Sequence, residues 1–114
     1  MNTIQLTARA AIHEGRVKEF NALAAECMQK VREQDSGTIQ YDWFFNEDQT
    51  ECVVRETYKD SKALLAHIAN LGAAVGAIFA IADWTIEIFG NPTPELLQAA
   101  AALNPKIYFP FQSI

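Results

Sequence analysis

Residues 53–67 read VVRETYKDSKALLAH, a stretch that predicts the end of a strand, a short turn and the start of a helix. β-Branched and aromatic residues favour the strand. Its inward face carries four side chains: Cys52, Val54, Glu56 and Tyr58. Asp60 suits the N-cap of the helix. Four helix residues share one stripe at the i, i+3, i+4, i+7 spacing: Leu64, His67, Ile68 and Leu71. The two elements therefore direct a carboxylate, a phenol and an imidazole towards one region.

The rest of the chain shows strand and helix patterns in turn. Strands are predicted over residues 3–12, 38–46, 52–58 and 83–89, and helices over 16–34, 61–71 and 73–82. Gly37 is suited to a left-handed conformation that ends the first helix. This order predicts an α+β fold in which helices cover one face of a ferredoxin-like, antiparallel four-stranded sheet.

The segment after Gly90 adds a helix and a strand to this plan. Thr93 can cap an alanine-rich helix that begins at Pro94 and runs to about Leu103. Residues 106–114 then alternate as a terminal strand, which Pro110 confines to an edge or a bulge. We therefore divide the single domain into a ferredoxin-like part, residues 1–90, and a C-terminal extension, residues 91–114.

Aromatic side chains occur on both faces of the strand 38–46. One face carries Ile39, Tyr41, Trp43 and Phe45. The other face carries Phe44, which a solvated sheet face does not require. At 114 residues the chain is also short for enclosing a substrate unaided. We therefore expect a homodimer in which a second copy covers the outer face.

Composition excludes several classes of function. The net charge is −5, which argues against binding nucleic acid through phosphate neutralisation. The sequence has no GxGxxG, P-loop or HExxH motif, and His13 and His67 form no metal-binding cluster, so we expect neither cofactor nor metal. The isolated Cys27 and Cys52 predict buried free thiols. The N-terminus lacks a signal-peptide pattern, which predicts a cytoplasmic protein.

Residues 63–82 contain no charged side chain and superficially fit a membrane span. His67 and Asn70 lie inside this run, Gly72 is expected to break the helix, and Lys62 and Asp83 flank it closely. Two short buried helices explain the run better, so we expect no membrane association.

The central stretch resembles the antibiotic biosynthesis monooxygenase family. The matching residues are Glu56, Tyr58, Lys59, Asp60, Ala63, Leu64 and His67. The helix after Gly15, which contains Phe20, and the helix through Phe79 fit the family plan over the first ninety or so residues. The resemblance implies a dimeric α+β barrel in which two sheets meet face to face. It also implies oxidation of a quinol- or anthrone-like aromatic substrate by O2 without flavin, metal or haem.

The candidate catalytic residues are His67, Tyr58 and Glu56. An imidazole suits proton abstraction, although a lone His on an apolar stripe is more often a hydrogen-bonded core residue. A carboxylate predicted to point inward must be paired or protonated, and Arg9 or Arg55 is its expected structural partner. The candidate substrate-binding residues are Trp43, Phe79, Trp84, Tyr41 and Asn46. For the aromatic residues, a plain core role is the competing interpretation, and Asn70 is a weaker polar candidate.

Other functions remain open at the level of the sequence. An acid–base pair of His67 and Glu56 also suits a cofactor-free isomerase of a small keto compound. Haem degradation, a further activity of the superfamily, has only His67 in its favour. A non-catalytic dimer that binds a hydrophobic ligand would show the same apolar pattern. Oxygen uptake with a reduced quinone distinguishes the monooxygenase from the others.

Overall fold

A computed structural model of the chain describes residues 2–114. Its elements, in chain order, are β1 (Ile4–Ile12), α1 (Val17–Gln34), β2 (Thr38–Phe45), β3 (Glu51–Tyr58), α2 (Ser61–Leu71), α3 (Ala73–Phe79), β4 (Ala82–Phe89), α4 (Pro94–Ala100), a 3-10 turn (Ala101–Leu103) and β5 (Lys106–Tyr108). The predicted order of strands and helices is therefore confirmed, including the helix and strand that follow Gly90.

The five strands form one sheet in the order β2-β3-β1-β4-β5. The first four are antiparallel to their neighbours, as in a ferredoxin-like fold, and β5 joins the edge parallel to β4. Inward side chains alternate along β1 and are buried at Ile4, Leu6, Ala8 and Ala10. The predicted α+β fold class with an added C-terminal strand is thus confirmed.

Buried apolar side chains hold the helices on the sheet. Phe20 of α1, Leu64 of α2, Ile78 of α3 and Leu96 of α4 all belong to one core cluster with the inward residues of the strands. Their burial removes apolar surface from water, which is the main favourable contribution to folding. The core therefore lies between the sheet and the four helices.

Local signals set the course of α2. The carboxylate of Asp60 accepts a hydrogen bond of 2.8 Å from the backbone N–H of Ala63 and caps the helix, as predicted. Gly72 ends the helix with φ +55°, a conformation that other residues rarely adopt. Within residues 2–114 no single helix is long and apolar enough to cross a membrane. Taken together, α2 and α3 are long and apolar enough, but they are bent by 81° at the break between them.

Gly37 does not have the left-handed conformation that the sequence suggested. The helix α1 ends at Gln34, and the next residue, Asp35, has an extended backbone. The glycines with positive φ are Gly15, Gly72 and Gly90. Gly37 is needed for a different reason, because a Cβ atom there would lie 2.5 Å from the Cβ of Ala63. The turn after α1 therefore touches the first turn of α2.

Three predicted boundaries or faces also differ. The last strand covers only Lys106–Tyr108, and residues 109–114, with Pro110 among them, have no regular structure. The helix predicted to reach Ala82 ends at Phe79, because Ala82 pairs with Ile12 in the sheet. Ile39 is 66% exposed and does not share the face of Tyr41, since the pairing of β2 with β3 shifts register between Thr38 and Gln40.

Candidate functional site

An apolar cavity of about 80 Å³ lies between the sheet and the helices. Six of the predicted site residues line it: Tyr41, Trp43, Glu56, His67, Phe79 and Trp84. Further walls come from α2, α3 and the C-terminal segment, which contributes Ala100 and Leu103. Strand alternation and the helical stripe thus bring most of the predicted side chains together.

Aromatic rings form the walls of this cavity. The rings of Phe79 and Trp84 stack at 4.9 Å, and Trp84 also stacks on Phe20 at 5.9 Å. The indole N–H of Trp84 donates to the carbonyl of Ile78 at 3.2 Å. The buried indole N–H of Trp43 has no hydrogen-bond partner among the residues that the structure describes. It is therefore a donor left available at the cavity wall.

The imidazole of His67 is 3% exposed and is held from two sides. Its Nδ1 lies 2.8 Å from Oδ2 of Asp35, which is outside the cavity lining. Its Nε2 lies 3.7 Å from Oε1 of Glu56, which belongs to the lining. The rings of Tyr41 and Tyr58 pack against it at 4.9 and 5.1 Å. Of the two ring nitrogens, Nε2 is thus the one nearer the cavity lining.

Asp35 is the functional candidate that the sequence analysis missed. Two of its contacts come from residues 32 and 35 positions further along the chain. Besides His67, the amide of Asn70 donates to Oδ1 at 2.8 Å and the hydroxyl of Thr38 donates to Oδ2 at 2.6 Å. Asn70, a weaker candidate from sequence, therefore acts on His67 through Asp35. No spacing motif would have revealed this.

Burial and hydrogen bonding act in opposite directions on this pair. Burial disfavours ionisation of Asp35, but the hydrogen bonds from Asn70, Thr38 and His67 outweigh it and hold the pKa of that carboxyl below its usual value. Burial lowers the pKa of His67, and the neighbouring Asp35 only partly opposes that effect. At neutral pH the pair therefore consists of a carboxylate and a neutral imidazole.

Glu56 has the opposite character. Burial, aided by the negative charge of Asp35 and opposed by a hydrogen bond from Tyr58, raises its pKa to about 8. The Tyr58 hydroxyl donates to Oε1 of Glu56, and the Tyr58 side chain is fully buried. Burial, together with the charge of Glu56, raises the pKa of the phenol well above its usual range. At neutral pH a protonated carboxyl therefore stands beside His67.

The prediction that Glu56 pairs with an arginine is wrong. Arg9 approaches Glu87 at 3.8 Å, and Arg55 lies across from Asp42 in the β2–β3 pairing. Both arginines occupy alternate positions on their strands and so lie on the outer face of the sheet. The hydroxyl of Tyr58 donates a hydrogen bond to Glu56, where a cationic partner was expected. This tyrosine is therefore buried rather than exposed to water.

Asn46, a predicted site residue, and Cys52 lie apart from this cluster, whereas Cys27 lines the cavity. Asn46 is in the β2–β3 hairpin, where its side chain donates to Thr50 at 3.0 Å and accepts from the backbone of Glu51 at 2.8 Å. It does not line the cavity. Cys27 and Cys52 are buried free thiols, and burial raises the pKa of each to about 11. Within residues 2–114 no cluster of three or more His, Cys, Asp or Glu side chains could hold a metal ion.

Fold and cavity together define a ferredoxin-like α+β domain with a buried acid–base cluster between its sheet and its helices. The model of the antibiotic biosynthesis monooxygenase family matches residues 3–72. The chain therefore belongs to this family, and the resemblance noted in its central stretch is confirmed. The matched range includes Asp35, Glu56 and His67.

Solved structures give the same fold. MupZ from Pseudomonas fluorescens is 24% identical, with a TM-score of 0.84 over 100% of this chain and 94% of its own. SnoaB from Streptomyces nogalater, a cofactor-independent oxygenase, is 16% identical, with a TM-score of 0.68 over 82% of this chain and 96% of its own. A conserved protein from Methanosarcina mazei Go1 is 20% identical, with a TM-score of 0.69 over 77% and 91%. No curated protein sequence matches the chain.

Proposed function

We propose that the protein is a cofactor-independent monooxygenase that oxidises an electron-rich aromatic compound of the quinol or anthrone type with O2. Its family supports an oxygenase, and SnoaB, which shares the fold, is a cofactor-independent oxygenase. The observation that carries the proposal is the position of His67, which lines an apolar cavity with its Nε2 3.7 Å from the carboxyl of Glu56.

His67 acts as the base in this proposal. With an anthrone-type substrate, Nε2 removes a proton from the carbon between the rings, and the resulting anion transfers one electron to O2. Recombination of the two radicals forms a carbon-bound peroxide, which takes up a proton. Loss of the second proton from that carbon, with departure of the terminal oxygen as water, leaves a carbonyl group. One oxygen atom enters the product and the other leaves as water.

Glu56 and Tyr58 act as hydrogen-bonding partners in the same reaction. The carboxyl of Glu56, protonated at neutral pH, can donate to the peroxide oxygen that leaves as water. Tyr58 holds that carboxyl in place by donating to Oε1, the oxygen that also lies nearest to Nε2 of His67. Trp43, Phe79 and Trp84 position the flat substrate and exclude water, which favours electron transfer over competing hydrolysis.

Entry of such a substrate requires the cavity to open. Small-molecule sites usually enclose about 300–1,000 Å³, whereas the cavity in the single chain has about 80 Å³. The helix α3 contributes Val75, Ile78 and Phe79 to the wall and follows α2 after Gly72 alone. Displacement of α3 is therefore the simplest way to admit a tricyclic ring.

A homodimer belongs to the same proposal. Phe44 is 52% exposed on the outer face of β2, and the exposed ring of Tyr108 stacks on Phe89 at 5.3 Å near the other edge of the sheet. Aromatic side chains exposed at both edges of one sheet face are typical of a surface that a second subunit covers. Light scattering of the purified protein tests this: a dimer is expected, and a monomer would contradict it.

Oxygen uptake tests the function directly. Purified metal-free protein is mixed with a panel of reduced quinones and anthrones, and the wild type is compared with His67→Ala and with His13→Ala. His13 is the matched control because it is exposed, pairs with Asp83 at 3.0 Å and does not belong to the cavity lining. We expect His67→Ala to slow uptake at least about tenfold and His13→Ala to leave it unchanged. Equal rates for all three folded proteins would remove His67 from the mechanism.

A second candidate function is isomerisation without oxygen. The specific observation in its favour is that a protonated carboxyl, Glu56, and a neutral imidazole, His67, lie 3.7 Å apart in one cavity. Such a pair can move a proton between two atoms of a small keto compound. Proton–deuterium exchange of a keto substrate under nitrogen, with no uptake of oxygen in air, would favour it. A thermal shift with a ligand and no turnover of either kind would favour simple binding.

A further inference from the structure

Asp35 receives three hydrogen bonds and donates none. The donors are the ring of His67, the amide of Asn70 and the hydroxyl of Thr38. A carboxylate has only acceptor oxygens, whereas a neutral asparagine would turn an N–H2 group towards one of these donors. The side chain of Asp35 is only 3% exposed, and burying a charge is costly unless several donors compensate it. The surroundings are thus built for an anion at this position.

This arrangement decides which nitrogen of His67 carries the proton. Because the carboxylate can only accept, the bond of 2.8 Å requires a proton on Nδ1. In a neutral ring Nε2 is then unprotonated and faces Glu56 and the cavity. The geometry points to Asp35 as a positioning residue that keeps Nε2 of His67 available as the base and stabilises the imidazolium once a proton has been taken. The catalytic part of this inference rests on the proposed function, whereas the tautomer does not.

The groups that face His67 come from several elements. Asp35 lies at the end of α1, Tyr41 on β2, and Glu56 and Tyr58 on β3. Of the residues within 2–114 that α1, α3, α4 and β4 contribute to the cavity wall, Cys27 of α1 is the one with a titratable side chain. Of the facing groups, Asp35 alone bonds directly to the ring and favours its protonated form. Its replacement is therefore expected to change the titration of His67 in a known direction.

Asp35→Asn is the informative variant. The variant keeps the size of the side chain but loses the carboxylate charge, and its amide can turn either the oxygen or the N–H2 group towards Nδ1 of His67. Nδ1 is then no longer held in its protonated form, and the imidazolium loses the charge that stabilises it. The matched control is Asp83→Asn, which removes the carboxylate from the exposed pair of Asp83 and His13. Both changes remove one negative charge from an aspartate–histidine pair.

The first measurement is the tautomer of His67 by long-range proton–nitrogen NMR at neutral pH, with His13→Ala to assign the signals. We expect protonated Nδ1 in the wild type and in Asp83→Asn, and a loss of this preference in Asp35→Asn. The pKa of His67 should be lower in Asp35→Asn than in the wild type, because the variant lacks the carboxylate that favours the protonated ring. A wild-type ring with its proton on Nε2 overturns the inference, even if Asp35→Asn fails to fold.

The second measurement is turnover with an active substrate from the oxygen-uptake panel. Asp35→Asn should lose on the order of 100-fold in kcat, because a base contributes about 10²–10⁴-fold, whereas Asp83→Asn should match the wild type. A folded Asp35→Asn with wild-type kcat and an unchanged pH profile overturns the role in catalysis. If no substrate is oxidised but the tautomers are as expected, the proposed function fails while the structural role of Asp35 is supported.

Discussion

Glu56 makes the stability of the protein depend on pH in a way that one substitution can abolish. Its pKa is raised from 4.5 to about 8, mainly by burial. The folded state therefore holds the proton more tightly than the unfolded chain. The resulting stabilisation is complete below about pH 4.5 and is lost as the pH rises through 8. At about 1.36 kcal/mol per pKa unit, the loss is on the order of 5 kcal/mol.

The test compares Glu56→Gln with the wild type by urea denaturation between pH 5 and pH 9. Glutamine keeps an oxygen for the hydroxyl of Tyr58 but cannot ionise. The difference in unfolding free energy, variant minus wild type, should therefore increase steadily with pH and level off above about pH 8. Glu47→Gln, in the exposed hairpin, is the matched control and should give a constant difference. Parallel curves for Glu56→Gln and the wild type would refute a buried, protonated Glu56.

Two further predictions concern packing. Gly37→Ala should destabilise the protein by about 1–3 kcal/mol, since the new Cβ would meet that of Ala63. The control Gly76→Ala should be neutral or stabilising, because its Cβ would meet nothing within 4 Å. Equal urea midpoints for the two variants would contradict this prediction. Leu96→Ala should cost about 2–5 kcal/mol, because Leu96 is fully buried. Its neighbour Leu97 is 39% exposed, so Leu97→Ala should cost clearly less, and similar losses would show that α4 does not anchor the core.

Local patterns predicted the parts of the fold that depend on neighbouring residues. The alternation in β3, the Asp60 cap and the stripe of α2 were enough to place Glu56 and His67 in one region. They were not enough to place Asn46, which the same reasoning put in the substrate site although its side chain is bonded within the hairpin. A short polar side chain at the end of a strand can point either way.

What the sequence could not predict depends on contacts between distant segments. Asp35 follows α1 as a polar residue commonly does at a helix end. Its hydrogen bond with His67 depends on the packing of α1 against α2, which the local sequence does not reveal. The role of Gly37 likewise depends on the approach of Ala63. The arginine partners expected for Glu56 were wrong because strand alternation places them on the opposite face from Glu56.

The two ends of the cavity are encoded in separate parts of the chain. The family match ends at residue 72 and contains the acid–base cluster, whereas Ala100 and Leu103, which close one wall, come after the last strand of the ferredoxin-like sheet. Leu96 anchors this wall, and the hydroxyl of Ser61 accepts a hydrogen bond of 3.1 Å from the backbone of Thr93 at its start. Substitutions in the C-terminal wall can therefore change the shape of the cavity while Asp35, Glu56 and His67 stay as they are.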